Sequence, residues 1–218
     1  SRPAKLRPPI IAALIRRDDW LDRLLDAVAA GTVSAGEIDH LTRLQISRRK
    51  NAALVKRAAK LIPLTAPGNR ADVIRNYEPA LRLTGRATAG AEVFRQSCAS
   101  CHALNGIGVN VGPELGVYRN KNARDLLTAI LDPNSVIEPR FTNYEIETRD
   151  GESQAGIIKT ESTAGITLQQ AQGITLDIRR ADIVSLRAAT ISLMPEGLEQ
   201  TINPQQMADL IAFLKSSR

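Results

Sequence analysis

Two cysteines and a histidine stand together in the stretch Cys98-Ala99-Ser100-Cys101-His102. Two thiols three positions apart, with a histidine next to the second, form the pattern in which each thiol adds to a haem vinyl group and the histidine binds the iron. A zinc half-site would need further ligands, and the one other histidine, His40, lies far away in the sequence. A redox dithiol would stand beside a βαβ pattern, which the flanks lack. The motif predicts one covalently bound haem c with its iron.

The positive charge of the chain lies before this motif. The formal net charge of the 218 residues is +6, and such a balance ordinarily suggests nucleic acid or a membrane surface as a partner. Residues 1–88 hold 17 Lys+Arg against 8 Asp+Glu, whereas residues 89–218 hold 12 against 15. The excess therefore lies outside the expected haem region, and we predict no nucleic-acid partner.

Residues 8–62 follow a helical period and predict four short amphipathic helices. Five residues mark the expected boundaries: Asp18 caps the second helix, Gly31 ends it, Ser34 with Glu37 forms the capping box of the third, and Ser47 opens the fourth. Short helices in pairs, each too small to bury its own face, resemble HEAT-like helical hairpins. We expect residues 1–66 to form this HEAT-like segment.

A second helical region delivers the motif. The period predicts a helix from about Arg70 to Leu81, and then a helix capped by Thr88. Gly90 and Phe94 lie eight and four residues before Cys98, so the three share one helix face, and a glycine there would let another helix approach closely. Residues 105–115, dense in Gly and Asn, could wrap a flat ring. A further short helix is expected over 123–131, stopped by Asp132-Pro133-Asn134.

From Asn143 the period changes to two, with a hairpin turn at Asp150-Gly151. Four or five short strands follow at turn-separated intervals, which predicts a small antiparallel sheet or barrel as an insert over about 141–187. A final helix starts at Asn203 and carries an apolar stripe that includes Met207. The expected fold class is therefore mainly α with a small β insertion, and we expect residues 67–218 to form one haem domain.

This layout resembles a class I cytochrome c. The residues that carry the resemblance are the Gly90-x-x-x-Phe94-x-x-x-Cys98-x-x-Cys101-His102 pattern, the Gly112-to-Leu115 loop, a Met-Pro pair near the end and a closing helix with Phe213-Leu214. More narrowly, three runs resemble the haem-binding domain family described from planctomycetes and verrucomicrobia: Leu104 to Leu115, Ile130 to Ile137 and Leu193 to Leu214. This resemblance covers residues from about 70 to 218. In that family the domain stands at the C-terminus of large exported proteins, often after HEAT-like helices.

The resemblance implies a role for each matching residue. Cys98 and Cys101 would hold the haem, and His102 would be the proximal ligand. Pro113 matches the proline whose carbonyl accepts a hydrogen bond from the ligand histidine. Gly90 and Phe213 match the positions where the first and last helices cross. Met194 matches the distal ligand, although the strand-rich insert separates it from the motif, where an ordinary cytochrome has a short loop.

The chain has two methionines that could bind the iron. Met207 stands three and four residues before Leu210 and Ile211, so we expect it in the core. Met194 precedes Pro195 outside any helical period, and we predict that it is the sixth ligand. The alternative is a loop methionine that fills a gap beside a five-coordinate iron.

We therefore predict an electron-transfer module that works with a redox partner protein or a fused dehydrogenase. The chain lacks a catalytic constellation of its own, and the alternative is a five-coordinate haem enzyme or a sensor of gas or peroxide. A further alternative is that the basic helical segment docks a partner. We leave open whether the chain is a monomer or a homodimer.

The expected location is periplasmic or otherwise exported. The start Ser1-Arg2-Pro3 lacks the apolar core of a signal peptide, and no run of about 18 apolar residues predicts a transmembrane helix. Because covalent haem attachment takes place outside the cytoplasm in bacteria, we expect a processed product or part of a longer exported protein.

Overall fold

The computed structural model describes residues 7–35, 38, 40–47, 49–63 and 69–216. Within these residues it contains eight α-helices and seven short strands. The prediction of a mainly α chain with a small antiparallel β part is confirmed. The chain divides into two compact units, one with residues 1–66, 145–155 and 182–187, and one with residues 67–144, 156–181 and 188–218.

The first unit contains four short helices around an apolar core. They are α1 (Arg7–Leu14), α2 (Asp18–Ala29), α3 (His40–Ser47) and α4 (Ala52–Leu61). Leu21, Leu24 and Leu25 of α2 are buried with Ile38, Ile46 and Leu54. Gly31 adopts a φ of +71° just beyond α2, so the predicted end of this helix is confirmed.

Two of the predicted boundary residues in this unit are wrong. Asp18 is the first residue of α2 and not its cap, and its carboxylate instead accepts hydrogen bonds from Arg49 at 2.8 Å and Asn51 at 2.9 Å. Ser47 ends α3 and does not open α4, because the side chain of Asn51 caps α4 by accepting from the Leu54 N–H. Glu37 of the predicted capping box lies outside the described residues, as does the side chain of His40.

The second unit is built on four helices with their own core. They are α5 (Arg70–Tyr77), α6 (Ala87–Ser97), α7 (Ala123–Leu131) and α8 (Pro204–Lys215), and a 3₁₀ turn (Glu78–Arg82) continues α5. Most of the buried side chains come from α6, α7 and α8: Val93, Phe94, Leu104, Leu126, Leu127, Leu131, Met207, Leu210, Phe213 and Leu214. Asn203 caps α8 in a capping box with Gln206, which confirms the predicted start of the closing helix.

Helices α6 and α8 pack closely at Gly90. A Cβ on Gly90 would lie 1.9 Å from the Asp209 carbonyl oxygen and 2.8 Å from the Phe213 Cβ, so only glycine allows the two backbones to come this near. The rings of Phe94 and Phe213 lie 5.5 Å apart at 56°, a tilted aromatic pair. The predicted crossing at Gly90 and Phe213 is confirmed.

The predicted cap of α6 is wrong. Thr88 lies inside the first turn, and the boundary residue Arg86 offers no side-chain cap of its own. The Arg86 N–H instead donates to the carboxylate of Asp209 on α8 at 2.8 Å, and Asp209 is buried. A side chain of the packing partner therefore satisfies the N-terminus of α6.

The strand region contains five strands: β3 (Asn143–Thr148), β4 (Ser153–Glu161), β5 (Gly165–Gln169), β6 (Thr175–Arg179) and β7 (Ile183–Ala188). They form an open sheet in the order β6-β5-β4-β3-β7. Strands β4 and β5, and β5 and β6, pair antiparallel, with Ile166 opposite Ile178. Alternate residues of β5 are buried, which explains its period of two. The remaining strands, β1 (Ala103–Leu104) and β2 (Ile107–Gly108), form a small hairpin.

None of the described helices has both the length and the apolar character that crossing a membrane requires.

Candidate haem site

The attachment loop folds as a continuation of α6. Cys98 is the residue that ends the helix, and its N–H donates to the Phe94 carbonyl at 2.8 Å. The His102 N–H donates in turn to the Cys98 carbonyl at 2.9 Å. The Cys101 carbonyl accepts from the Gly112 N–H at 2.7 Å, which draws the following loop back over the motif. Both cysteines are half-buried, and Cys98 packs against the core of the second unit.

His102 is buried and held by one ring nitrogen. Its Nδ1 lies 2.8 Å from the Pro113 carbonyl oxygen. Because a carbonyl can only accept, Nδ1 carries the proton and Nε2 keeps its lone pair. Burial lowers the pKa of the His102 imidazole, and the bond to Pro113 opposes this shift. The ring is therefore a neutral imidazole with Nε2 ready to bind a metal.

The backbone of Gly112 lies directly against this ring. A Cβ at Gly112 would lie 2.6 Å from His102 Cε1 and 3.2 Å from Nε2. Since real Cβ atoms do not approach this closely, the ring can lie against the chain only where there is no side chain. A buried neutral imidazole with a fixed tautomer and two half-buried cysteines nearby in the chain fit the donors that a covalent haem requires.

The surroundings of the motif disfavour the other metal and redox interpretations. Burial, with a smaller contribution from Cys101, raises the pKa of the Cys98 thiol to about 12. Disulfide exchange uses a thiolate, which this burial disfavours. Among the described residues, no group of three or more His, Cys, Asp and Glu side chains could hold a metal ion. The residues fit haem attachment better than a zinc half-site or a redox dithiol.

One turn of the β-sheet contacts the attachment loop. The Gln172 N–H, in the connection between β5 and β6, donates to the Ser100 carbonyl at 2.6 Å. Gln172 has a φ of +64°, a left-handed conformation that is uncommon for a residue other than glycine. The stretch between the two cysteines is therefore hydrogen-bonded to a turn of the insert.

The two methionines occupy different environments. Met207 is fully buried on α8, which confirms its prediction as a core residue. Met194 is half-buried on a loop and packs against the core of the second unit. Its N–H donates to the Ser192 hydroxyl at 3.0 Å. The thioether of Met194 is thus on a segment outside the regular helices, as the sequence predicts.

Comparison with known families shows to which family the chain belongs. The family model described as Cytochrome c matches residues 87–218, more than half of the chain. The chain belongs to the cytochrome c family. It therefore binds covalent haem c with its iron, and the predicted cofactor is confirmed. No curated protein matches the chain.

The structure also places residues around the Met194 loop of this cytochrome c that the sequence did not single out. Arg70 donates to Glu199 at 2.7 Å and to the Leu131 carbonyl at 2.9 Å. The bond to Glu199 raises the pKa of the Arg70 guanidinium. Asn134, predicted only as part of a helix stop, contacts the same loop. Their partners on this loop are 58 to 129 residues away, so no local pattern could have found them.

Proposed function

We propose that this cytochrome c is an electron-transfer protein whose haem iron is bound by His102 and Met194. The observation that carries the proposal is the geometry of His102, whose Nδ1–H donates to the Pro113 carbonyl at 2.8 Å and leaves Nε2 available. When bound, the haem supplies a centre that gains and loses one electron. A ligand set of histidine and methionine raises the potential relative to two histidines, because the thioether favours reduced iron.

Each residue of the site has a distinct part in this proposal. Cys98 and Cys101 would hold the haem through thioether bonds. His102 would bind from the proximal side, and the Pro113 carbonyl would fix the ring and its tautomer. A ring that cannot rotate needs little rearrangement when the charge on the iron changes.

Met194 is the better of the two candidates for the distal position. Met207 is fully buried among the apolar side chains of the α6 and α8 region. Met194 stands on a loop whose backbone is anchored through Ser192, and it remains half-buried. A thioether in this setting supports the assignment as sixth ligand.

The proposal extends to the setting of the domain. We propose that residues 67–218 are the haem domain, with the insert at about 141–187, and that residues 1–66 are a HEAT-like segment. Following the resemblance to the planctomycete and verrucomicrobial haem-binding family, the domain would belong to a larger exported or periplasmic protein. Its partner would be a redox protein or a fused dehydrogenase.

Optical spectra of the oxidised and reduced protein test the ligand set. We expect a low-spin spectrum with the far-red band of a bond between methionine and ferric iron, and we expect Met194→Ala to abolish that band. Met207→Leu is the matched control, because it changes the other methionine and should keep the band. A high-spin spectrum in the wild-type protein, or a Met194→Ala variant with an unchanged band, would refute the proposal. The high-spin result would favour the five-coordinate enzyme or sensor.

A further inference from the structure

We propose that Asn134 is a positioning residue that clamps the loop carrying Met194. The proposal rests on the proposed function, because it assumes that Met194 binds the iron. Both ends of the Asn134 side chain bind this loop, and neither bond goes to an expected haem ligand. The effect of Asn134 on the iron would therefore pass through the loop.

The two ends of the Asn134 amide bind the loop on either side of the methionine. The side-chain oxygen Oδ1 accepts from the Ser192 N–H at 2.7 Å. The side-chain nitrogen Nδ2 donates to Oε1 of Glu196. Ser192 and Glu196 lie two residues before and two residues after Met194 in the sequence. One side chain therefore closes the loop at its base. Its oxygen binds the segment before Met194, and its nitrogen binds the segment after it.

The turn that carries Asn134 is itself firmly held. Asn134 follows α7, whose Leu127 and Leu131 side chains are fully buried in the core. The next residue, Ser135, fixes the turn by donating from its N–H at 3.1 Å and from its hydroxyl at 2.7 Å to the Asp132 carbonyl. The clamp thus ties the Met194 loop to a helix that is locked into the core.

A second anchor holds the glutamate that the clamp uses. Arg70 lies 3.8 Å from Glu196 and 2.7 Å from Glu199, and the three side chains are 12–16% exposed. Arg70 also donates to the Leu131 carbonyl at the end of α7. Glu196 is therefore a fixed acceptor for Asn134, since the guanidinium limits where its carboxylate can lie.

The clamp would keep the methionine on the iron against competing ligands. Opening the loop would break the two hydrogen bonds of Asn134. Loss of both corresponds to a change of roughly tenfold or more in the balance between the closed and open loop. An external ligand such as imidazole binds the ferric iron only when Met194 leaves, so its affinity reports this balance.

The test uses the haem-loaded full chain with imidazole as the probe. We expect Asn134→Ala to raise the affinity of the ferric protein for imidazole about tenfold and to lower the reduction potential. Ser135→Ala is the matched control, because it removes only the hydroxyl bond to the Asp132 carbonyl, while the Ser135 N–H still donates to that carbonyl and keeps the turn. We expect its imidazole affinity to equal that of the wild-type protein.

A double substitution that exchanges the donor and the acceptor between positions 134 and 196 should restore the wild-type affinity for imidazole. Asn134→Asp keeps an acceptor for the Ser192 N–H but places a second carboxylate against Glu196, so we expect tighter imidazole binding. Adding Glu196→Gln supplies an amide at position 196 that can donate to the carboxylate at position 134. We therefore expect the double variant to bind imidazole with an affinity near the wild-type value. Comparison of Asn134→Asp with this double variant tests the clamp even if Asn134→Ala fails to fold.

The outcomes separate this proposal from the proposed function. If Met194→Ala keeps the far-red band, the ligand assignment fails and the clamp fails with it. If Met194→Ala loses the band while Asn134→Ala and Asn134→Asp bind imidazole like the wild type, the clamp alone is overturned. Equal effects of Asn134→Ala and Ser135→Ala would also overturn it, because they would indicate a general loss of stability.

Discussion

The proximal and distal sides of the proposed iron site are held by different kinds of contact. His102 is fixed by the backbone of residues close to it in sequence, with the Pro113 carbonyl as its partner and Gly112 against its ring. Met194 stands on a loop held by the side chains of Asn134 and Arg70, which lie far away in sequence. A backbone contact survives most substitutions, whereas a side-chain contact is lost with one. We therefore expect the distal side to be the easier one to break.

The largest effect is expected at Arg70, the anchor of the distal loop. Arg70→Ala removes the cation that pairs with Glu199 in a place where both side chains are less than a fifth exposed, so we expect a loss of about 3 kcal/mol in the free energy of unfolding. Denaturant unfolding of the haem-loaded protein measures it. Arg75→Ala is the control on the same helix, because its pair with Asp72 is 70% and 54% exposed and should cost about 0.5 kcal/mol or less. Equal losses in the two variants would contradict the anchor.

On the proximal side, we expect a substitution to have a large effect only where the backbone lies directly against the His102 ring. Gly112→Ala places a Cβ against His102, so we expect a loss of about 2 kcal/mol in the free energy of unfolding and an altered haem spectrum. Gly106→Ala is the control: its φ is +76° but nothing lies within 4 Å of the new Cβ. It should cost about 1 kcal/mol through the backbone alone and leave the spectrum unchanged. An unchanged spectrum in Gly112→Ala would mean that the ring has room to move.

Asp209 tests what makes a contact easy to break: the side of the proposed iron site on which it lies, or its being made by a side chain that is distant in sequence. Asp209 is a distant side chain, yet it supports α6, the helix that leads to His102, the proposed proximal ligand. We expect Asp209→Ala to cost about 1 kcal/mol, the usual value of a lost helix cap. Asp209→Asn keeps an oxygen that accepts from the Arg86 N–H and should retain about half of that stabilisation. If both variants unfold like the wild type in denaturant, Asp209 does not cap α6.

The smallest effect is expected at Pro113, although its carbonyl holds His102, the proposed ligand. Pro113→Ala keeps the backbone carbonyl, so the bond from His102 should persist. We expect a loss of about 0.5 kcal/mol, which comes from the greater freedom of the unfolded chain. The haem spectrum and potential should match the wild type. A spectral change as large as that of Gly112→Ala would show that the proline ring itself positions His102.

Sequence patterns predicted the local parts of this molecule well. Helix α7 occupies Ala123–Leu131 as its period indicates, and β5 alternates buried and half-buried residues. The motif at Cys98–His102 predicted the cofactor that the family match confirms. In each case the signal lies within a few neighbouring residues, where the periods of helices and strands or a ligand spacing fix the outcome.

Most of the errors and omissions concern contacts between residues that are far apart in the sequence. The sequence predicts Thr88 as the cap of α6, but Asp209 supplies it from 123 residues away. For Asn134 the sequence predicts only a helix stop, because its partners Ser192 and Glu196 follow after the whole sheet. A single sequence does not show which distant residue completes such a contact. The start of α4 is a local error, because the nearby Asn51 offers a better cap than Ser47.

The close approach at Gly90 is repeated just before α6. A Cβ on Gly85 would lie 2.2 Å from the Ala208 carbonyl oxygen and 2.9 Å from the Ala212 Cβ on α8. Two glycines five residues apart therefore let the backbone at the start of α6 lie directly on α8. Because a side chain at either position would push the two segments apart, the distance between them is fixed by the main chain and leaves no room for repacking.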